Sequence, residues 1–230
     1  MTYFIDSLIA ALELITSFDH SIYRIVATSV SISLIASVIA VILAVPAGVL
    51  MALNTFIGKN SIQHLLNTLM AMPTVVIGLL LYGLFSRLGP LGHWGLLYTP
   101  TAVIIAEAIL IFPIMMNLTI TAVNSADPRL KPTLISLGAN QFNLAWNVIK
   151  TMRLAILAAA VTGFGRAIGE VGAAMMLGGN IEGFTRTMTT AIALETSKGE
   201  FELGLALGLL LLIIAFVLNF ILSWLHRPKQ

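Results

Sequence analysis

The chain has 230 residues, of which 58% are hydrophobic and 10% are charged, and its mean hydropathy is +0.99. Soluble domains are roughly half apolar and a quarter charged, so this composition excludes an ordinary soluble domain and predicts an integral membrane protein. The net charge is only +2 and there is no cysteine, so nothing indicates a nucleic-acid partner, a disulfide or a thiolate metal site.

The N-terminal segment, residues 1–20, contains no Lys or Arg and therefore lacks the basic region of a secretory signal. Its apolar residues share one face of a predicted helix: Ile5, Leu8, Ile9, Leu12 and Ile15. This pattern favours an amphipathic helix that lies on the membrane surface, with a sixth membrane crossing as the alternative.

Five later stretches are apolar and long enough to cross a bilayer, which takes about 20 residues per helix. They are 25–58, 60–86, 98–122, a stretch that begins near Arg153, and 203–225. We therefore predict an all-α membrane protein with five transmembrane helices, six if the N-terminal segment also crosses. The transmembrane domain spans 21–226, and a basic tail follows at 227–230.

The distribution of charge predicts the orientation in the membrane. If the segment 125–153 is cytoplasmic, that side holds one acidic residue, Asp127, and seven basic ones: Lys59, Arg129, Lys131, Lys150, Arg153, Arg227 and Lys229. The other side then holds four basic residues and seven acidic ones. Because Lys and Arg are enriched in cytoplasmic loops, we expect the N-terminus to be external and the C-terminus, with its basic tail, to be cytoplasmic.

The segment 125–153 is long and mostly polar, but it carries helix signals. Asp127–Pro128 is typical of a helix start, Gly138 of a helix end, and Asn140 of a second start. We predict two short helices with a bend at Gly138. Their apolar side chains either pack beneath the bundle or dock a soluble partner.

The stretch GFGRAIGEVGAAMMLGG, 163–179, places Arg166 four residues before Glu170, so on a helix the two side chains meet. An unpaired charge in a bilayer costs about 2.5–3.5 kcal/mol on insertion scales, which favours an ion pair. Two interpretations stay open. The pair fixes helix packing near a dimer interface, where Gly165, Gly169 and Ala173 let helices approach closely, or it forms part of a gate.

Polar residues continue beyond this stretch, where Gly178–Gly179 lets the backbone break or approach a ligand. The candidates for a pore or gate are Arg166, Glu170, Asn180, Thr185, Thr187, Thr189 and Thr190. The last five offer neutral hydrogen-bond donors to an oxyanion, and the alternative is a threonine-rich external loop. Glu107 is interpreted as a helix-packing carboxyl rather than a proton carrier.

Motifs of an enzyme are missing from the sequence. The nearest approach to a phosphate-binding loop, IGKNS at 57–61, lacks the preceding glycine and the Ser or Thr directly after the lysine. The histidines are scattered, at His20, His64, His93 and His226, without a zinc-binding pattern. We therefore expect no catalytic residue, no metal site and no cofactor in this chain.

Two stretches resemble a known family. The SLGA around Gly138, with Val148 downstream, is similar to the coupling loop of ABC-transporter permeases. GFGRAIGEVGAAMMLGGNI and the following TRTMTTAIALETSKGEFELGLALGLLLLIIAFVLN resemble permeases of the molybdate, sulfate and tungstate importers, most closely the tungstate group. The resemblance covers roughly residues 20–225.

The resemblance implies a homodimeric channel in the cytoplasmic membrane that moves a tetrahedral oxyanion by alternating access. Tungstate is the expected oxyanion, and molybdate and sulfate are the alternatives. It implies two copies of an ABC ATPase that use ATP and Mg, and an external oxyanion-binding protein. The residues that would couple to the ATPase are Leu134, Leu137, Gly138, Ala139, Phe142 and Trp146. An ion-coupled secondary transporter and a membrane anchor of an enzyme complex are the alternative functions.

Overall fold

The computed structural model describes residues 2–17 and 19–225, and the predicted basic tail at 227–230 lies outside them. Within these two ranges the regular structure is entirely helical. A short 3₁₀ helix spans Gly92–Trp94. The α-helices are α1 (Thr2–Thr16), α2 (His20–Leu53), α3 (Lys59–Met70), α4 (Thr74–Phe85), α5 (Pro100–Asn124), α6 (Leu130–Ser136), α7 (Gln141–Thr151), α8 (Arg153–Ile168), α9 (Gly172–Gly178), α10 (Met188–Lys198) and α11 (Phe201–Leu225).

Three helices, α2, α5 and α11, are each long and apolar enough to cross a membrane. They confirm the predicted runs at 25–58, 98–122 and 203–225. α2 has 34 residues, about 51 Å at 1.5 Å per residue, which exceeds a hydrocarbon core of about 30 Å. It must therefore tilt or extend beyond the bilayer.

The predicted run at 60–86 is not one helix. α3 and α4 meet at 96°, and Pro73 stands at the bend as the residue before α4. Proline has no backbone N–H and disfavours helical geometry in the residue before it. α7 and α8 form a second bent pair, at 75°. The described helices give three spans, or five if each bent pair counts as one.

Close backbone contacts hold α2, α5 and α8 together at the centre. A Cβ placed on Gly48 of α2 would lie 2.9 Å from the Thr119 Cβ and 3.0 Å from the Met116 carbonyl oxygen, both on α5. A Cβ on Gly163 of α8 would overlap the side chain of Met115 on α5. The glycines therefore allow these helices to approach.

α1 is a helix, as predicted, and it packs against α11. It buries Ser7 and Ala11 while Ile5, Ile9 and Leu12 are about half exposed. With 15 residues it is about 22 Å long, which is short for a crossing. Its outward apolar face would meet lipid in either arrangement, and the choice between an interfacial helix and a sixth span stays a prediction.

Candidate functional site

The motif helix is broken beside its charged pair. α8 ends at Ile168, Gly169 caps it, and α9 begins at Gly172, so Arg166 and Glu170 do not lie on one continuous helix. The Glu170 Oε1 accepts a hydrogen bond from the Ala173 backbone N–H at 3.1 Å. A free N–H at a helix start needs such an acceptor, and the carboxylate therefore stabilises the start of α9 as well as the ion pair.

The predicted pairing of Arg166 with Glu170 is confirmed, although the pair joins across the end of α8. The Arg166 Nη1 lies 2.9 Å from the Glu170 Oε2. The side chain of Glu170 is 3% exposed and that of Arg166 is 40% exposed. The carboxylate is thus enclosed by protein, while the guanidinium has an open side.

The broken segment is held by α10 and lies near a second carboxyl. The Thr189 Oγ1 donates to the Glu170 carbonyl oxygen at 2.6 Å. Glu107 on α5 is 2% exposed and lies near the carboxylate of Glu170. The Glu107 Oε2 has no hydrogen-bond partner among the described residues. Two acidic side chains therefore occupy one buried polar region.

The four threonines proposed for the pore are buried, and their hydroxyls bond within the chain. Thr185 donates to the Gly178 carbonyl oxygen at 2.5 Å and accepts from the Ile181 N–H at 3.0 Å. Thr187 and Thr190 form a reciprocal cap at the start of α10. These bonds hold the start of α10 and the turn before it, and contact of these hydroxyls with an oxyanion stays a prediction.

Asn180 lies where the chain leaves α9, in left-handed backbone geometry with φ 51°. Its Nδ2 donates to the Thr190 carbonyl oxygen at 3.2 Å, and its Oδ1 is buried without a partner among the described residues. Gly179 before it has φ +70°, and a Cβ there would lie 2.7 Å from the Tyr98 ring. The predicted backbone break at Gly178–Gly179 is confirmed.

The small residues proposed to bring helices together do not form one packed stripe. A Cβ on Gly165 would meet nothing within 4 Å, and one on Gly169 would meet only backbone of its own helix end. Ala173 packs against Gly78 of α4. Within one copy the helix break separates Gly169 from Ala173, and close approach of helices from two copies stays a prediction. Gly165 and Gly169 instead leave free space beside Arg166.

The segment 125–153 has the predicted two helices and bend. Gly138 has φ +81°, and the Asn140 side chain accepts from the Asn143 N–H at 2.8 Å at the start of α7. α6 begins at Leu130, two residues later than expected. The Asp127 side chain accepts from the Arg129 N–H at 2.8 Å, so it caps a turn that precedes the helix.

Four apolar side chains of this segment project from the bundle, and we call them the docking surface: Ile135 (52% exposed), Leu137 (78%), Phe142 (77%) and Trp146 (51%). Leu144 and Val148 are buried in a core cluster that includes Val45 and Val49 of α2, and Leu134 packs against that cluster. Ala139 is half-buried. Leu134 and Ala139 therefore support the surface, whereas Ile135, which sequence reasoning missed, belongs to it.

Two lysines tie this end of the bundle to the last carbonyls of α2. The Lys59 Nζ donates to the Ala52 and Asn54 carbonyl oxygens at 3.3 and 3.1 Å, and the Lys131 Nζ donates to the Leu53 carbonyl oxygen. Cations at a helix C-terminus interact favourably with its dipole. These contacts connect α6 directly to α2.

No group of three or more His, Cys, Asp or Glu residues comes together to hold a metal in the part of the chain that the structure describes. The site thus consists of a buried carboxylate, a partly open guanidinium and a broken helix. The docking surface lies at one end of the bundle. Together with the long apolar helices, these features define a membrane-spanning protein with a buried ion pair.

The comparisons identify the family. Residues 44–228 match the family of binding-protein-dependent transport system inner membrane components, and the chain belongs to it. The predicted family is thereby confirmed, and the protein is a multi-pass inner membrane protein.

Similar proteins carry permease names. The chain is 39% identical over 227 residues to the tungstate uptake system permease protein TupB of Peptoclostridium acidaminophilum, covering 99% of this chain and 100% of that protein. It is 38% identical over 227 residues to TupB of Campylobacter jejuni, covering 99% and 95%. The molybdenum transport system permease protein ModB of Escherichia coli K12 is 29% identical over 217 residues, covering 88% and 94%.

Solved structures share the fold. A chain of the MetNI methionine ABC transporter matches with a TM-score of 0.72 at 14% identity, covering 90% of this chain and 95% of that one. An amino acid ABC transporter matches with a TM-score of 0.66 at 16% identity, covering 92% and 95%.

Proposed function

We propose that this chain is the permease subunit of an ATP-driven importer that carries a tetrahedral oxyanion. Tungstate is the favoured substrate, and molybdate and sulfate are the alternatives. The observation that carries the proposal is the 39% identity to a tungstate permease along nearly the whole of both chains. The family favours this function over an ion-coupled transporter or an enzyme anchor.

The complex would contain two copies of this chain, two ABC ATPase subunits and an external oxyanion-binding protein. The docking surface supports an ATPase partner, because exposed aromatic side chains on short helices suit docking into a groove. Core contacts of Leu144 and Val148 connect α7 to α2. A movement of the ATPase would therefore reach the membrane helices directly.

The N-terminus would be external and the C-terminus cytoplasmic. Contacts of two charged loops with opposite ends of α2 support this orientation. Lys131 bonds at Leu53, whereas Arg24 lies against Gly183. The basic segment 125–153 and the acidic loops near Glu182 thus lie at different ends of α2. The excess of basic residues at the first end favours the cytoplasm there.

Arg166 and Glu170 would act as a gate in which the arginine moves. Glu170 is fixed by its bond to Ala173 and by Thr189 on its carbonyl, whereas Arg166 is 40% exposed. An arginine bonded to a carboxylate attracts a dianion less strongly than a free one does. Arg166 would exchange its bond to Glu170 for a bond to the oxyanion. The arginine would then contact the oxyanion without binding it permanently.

Uptake assays in cells test this function. The chain is expressed with its ATPase and binding protein in cells that lack their own tungstate, molybdate and sulfate importers, and each oxyanion is supplied separately. We expect tungstate uptake that disappears when the ATPase is omitted. Uptake that persists without the ATPase would indicate ion-coupled transport, and absence of uptake of all three oxyanions would contradict the proposal.

A further inference from the structure

A second polar contact lies where α3 crosses α5, away from the charged pair. The Asn117 Nδ2 donates to the Asn67 Oδ1 at 3.0 Å and lies 3.3 Å from the Met70 sulfur. Asn117 stands seven residues before the end of α5, about 10 Å along the helix axis. The two asparagines therefore meet along the side of a membrane-crossing helix and not at its end.

Polar residues recur on one face of this half of α5. Asn117, Thr121 and Asn124 follow at spacings of four and three, which places them on one face. Asn117 is half-buried, and Thr121 and Asn124 are exposed. In the other half of the helix this face is buried. Val103 and Leu110 lie on it, fourteen and seven residues before Asn117, and both are buried.

α3 presents a matching polar face. Asn60, His64 and Asn67 also follow at spacings of four and three, and all three are exposed. Leu66 is buried and shares a core cluster with Ala167 of α8, next to Arg166. Asn124 ends α5 and Asn60 lies at the start of α3. The polar faces of the two helices therefore run from the Asn67–Asn117 contact toward the end of the bundle that carries the docking surface.

Exposed amides and hydroxyls at membrane depth face water-filled cavities or protein partners in preference to lipid. We propose that six side chains form one wall of the vestibule through which the oxyanion leaves the gate: Asn60, His64, Asn67, Asn117, Thr121 and Asn124. This inference rests on the proposed function.

The chemistry of the wall suits the release of a dianion. Asn67 accepts from Asn117 through its Oδ1, which leaves its amide nitrogen as a donor. The wall contains no Lys or Arg, and neutral donors bind an anion more weakly than charged ones. An oxyanion leaving Arg166 would meet neutral donors along the wall, because Lys59 and Lys131 at this end of the bundle are bonded to carbonyl oxygens at the end of α2.

Cysteine labelling tests whether the wall contacts water. The chain has no native cysteine, so Asn117→Cys, Thr121→Cys and Asn124→Cys are compared with Met116→Cys, Ile120→Cys and Val123→Cys, three buried positions on the same helix. In the complete complex we expect a hydrophilic thiol reagent to label the first set about tenfold faster or more, with tungstate slowing the reaction. Equal labelling, or protection of both sets by lipid or a second copy, would overturn the inference.

Uptake separates this inference from the proposed function. Asn67→Leu and Asn117→Leu should reduce the maximal tungstate uptake about tenfold with unchanged dimer assembly and basal ATPase activity. Asn143→Leu, at an exposed asparagine of α7 outside the wall, is the matched control and should transport normally. If the wild type and both wall variants take up tungstate normally, the vestibule wall is refuted and the proposed function stands. A wild type that carries no oxyanion would refute the proposed function and the oxyanion assignment of the wall together.

Discussion

Arg166 and Glu170 show what sequence spacing predicts and what it leaves open. A separation of four residues brought the two side chains together, as expected. The helix end between them was not predictable, because the same side-chain distance is reached along a continuous helix or across its end. The hydroxyl of Thr189 likewise offers a donor in the sequence, but its bond to Glu170, nineteen residues away, depends on how α10 packs.

The ion pair makes an asymmetric prediction. Arg166→Met leaves a carboxylate that is 3% exposed without its partner, whereas Glu170→Gln leaves a guanidinium that is already 40% open. Breaking a buried pair costs about 3–5 kcal/mol when the remaining charge stays enclosed. We therefore expect Arg166→Met to lower the yield of assembled protein and its thermal stability more than Glu170→Gln does.

The double variant, Arg166→Met with Glu170→Gln, separates packing from gating. It leaves no unpaired charge, so assembly should recover. If the pair is a gate, tungstate uptake stays low despite normal assembly, because a pair that exchanges partners has been lost. Recovery of both assembly and uptake would assign the two residues to packing alone.

At the scale of helices, hydropathy predicted α2, α5 and α11 because long apolar runs have few other interpretations. It did not predict the bend between α3 and α4. Pro73 signals an interruption, but the direction of α4 depends on its packing against α9, which no local pattern contains. The bend at Gly138 was predictable because a left-handed residue at a helix end is a local glycine signal.

A larger side chain at Gly48 is predicted to disrupt the contact between α2 and α5. Gly48→Val forces atoms into the space beside Thr119 and the Met116 carbonyl, and overpacking of this kind costs about 1–3 kcal/mol. Thermal unfolding of the purified protein in detergent should shift to lower temperature. Gly208→Val is the control, since a Cβ there meets nothing within 4 Å. Equal shifts in both variants would show that this contact is not tight.

The docking surface is predicted to transmit ATPase movement. Phe142→Ser removes a side chain that is 77% exposed, so the fold should persist while binding to the ATPase weakens by about tenfold or more. Gly138→Val leaves the surface side chains in place but strains the bend by about 1–2 kcal/mol. Tungstate uptake and substrate-stimulated ATPase activity should fall together in both variants.

Asn143→Ser is the matched control for the docking surface, since Asn143 is a polar, exposed neighbour on α7. It should keep normal coupling. Normal stimulation in Phe142→Ser and Gly138→Val would remove the segment 125–153 from the coupling role.

At the scale of the whole molecule, the family was predictable from a few dozen residues around Gly138 and Arg166. The number of crossings was not, because bent helix pairs such as α3 and α4 have the composition of a span without its shape. The charge distribution still predicts an orientation, since basic residues near the docking surface oppose acidic residues near the other end.

That orientation predicts a labelling pattern in intact cells. A cysteine in place of Asp6, which is exposed on α1, should react with an impermeant thiol reagent, and one in place of Lys229 should react only after the cells are opened. Equal reaction at both positions in intact cells would contradict an odd number of crossings.

The energy source of transport tests the central claim most directly. The complex is reconstituted in vesicles with its ATPase sites facing the lumen, tungstate-loaded binding protein is added outside, and ATP with Mg or a proton gradient is supplied separately. We predict tungstate accumulation with luminal ATP in the absence of any ion gradient. Accumulation driven by the proton gradient without ATP would contradict the account.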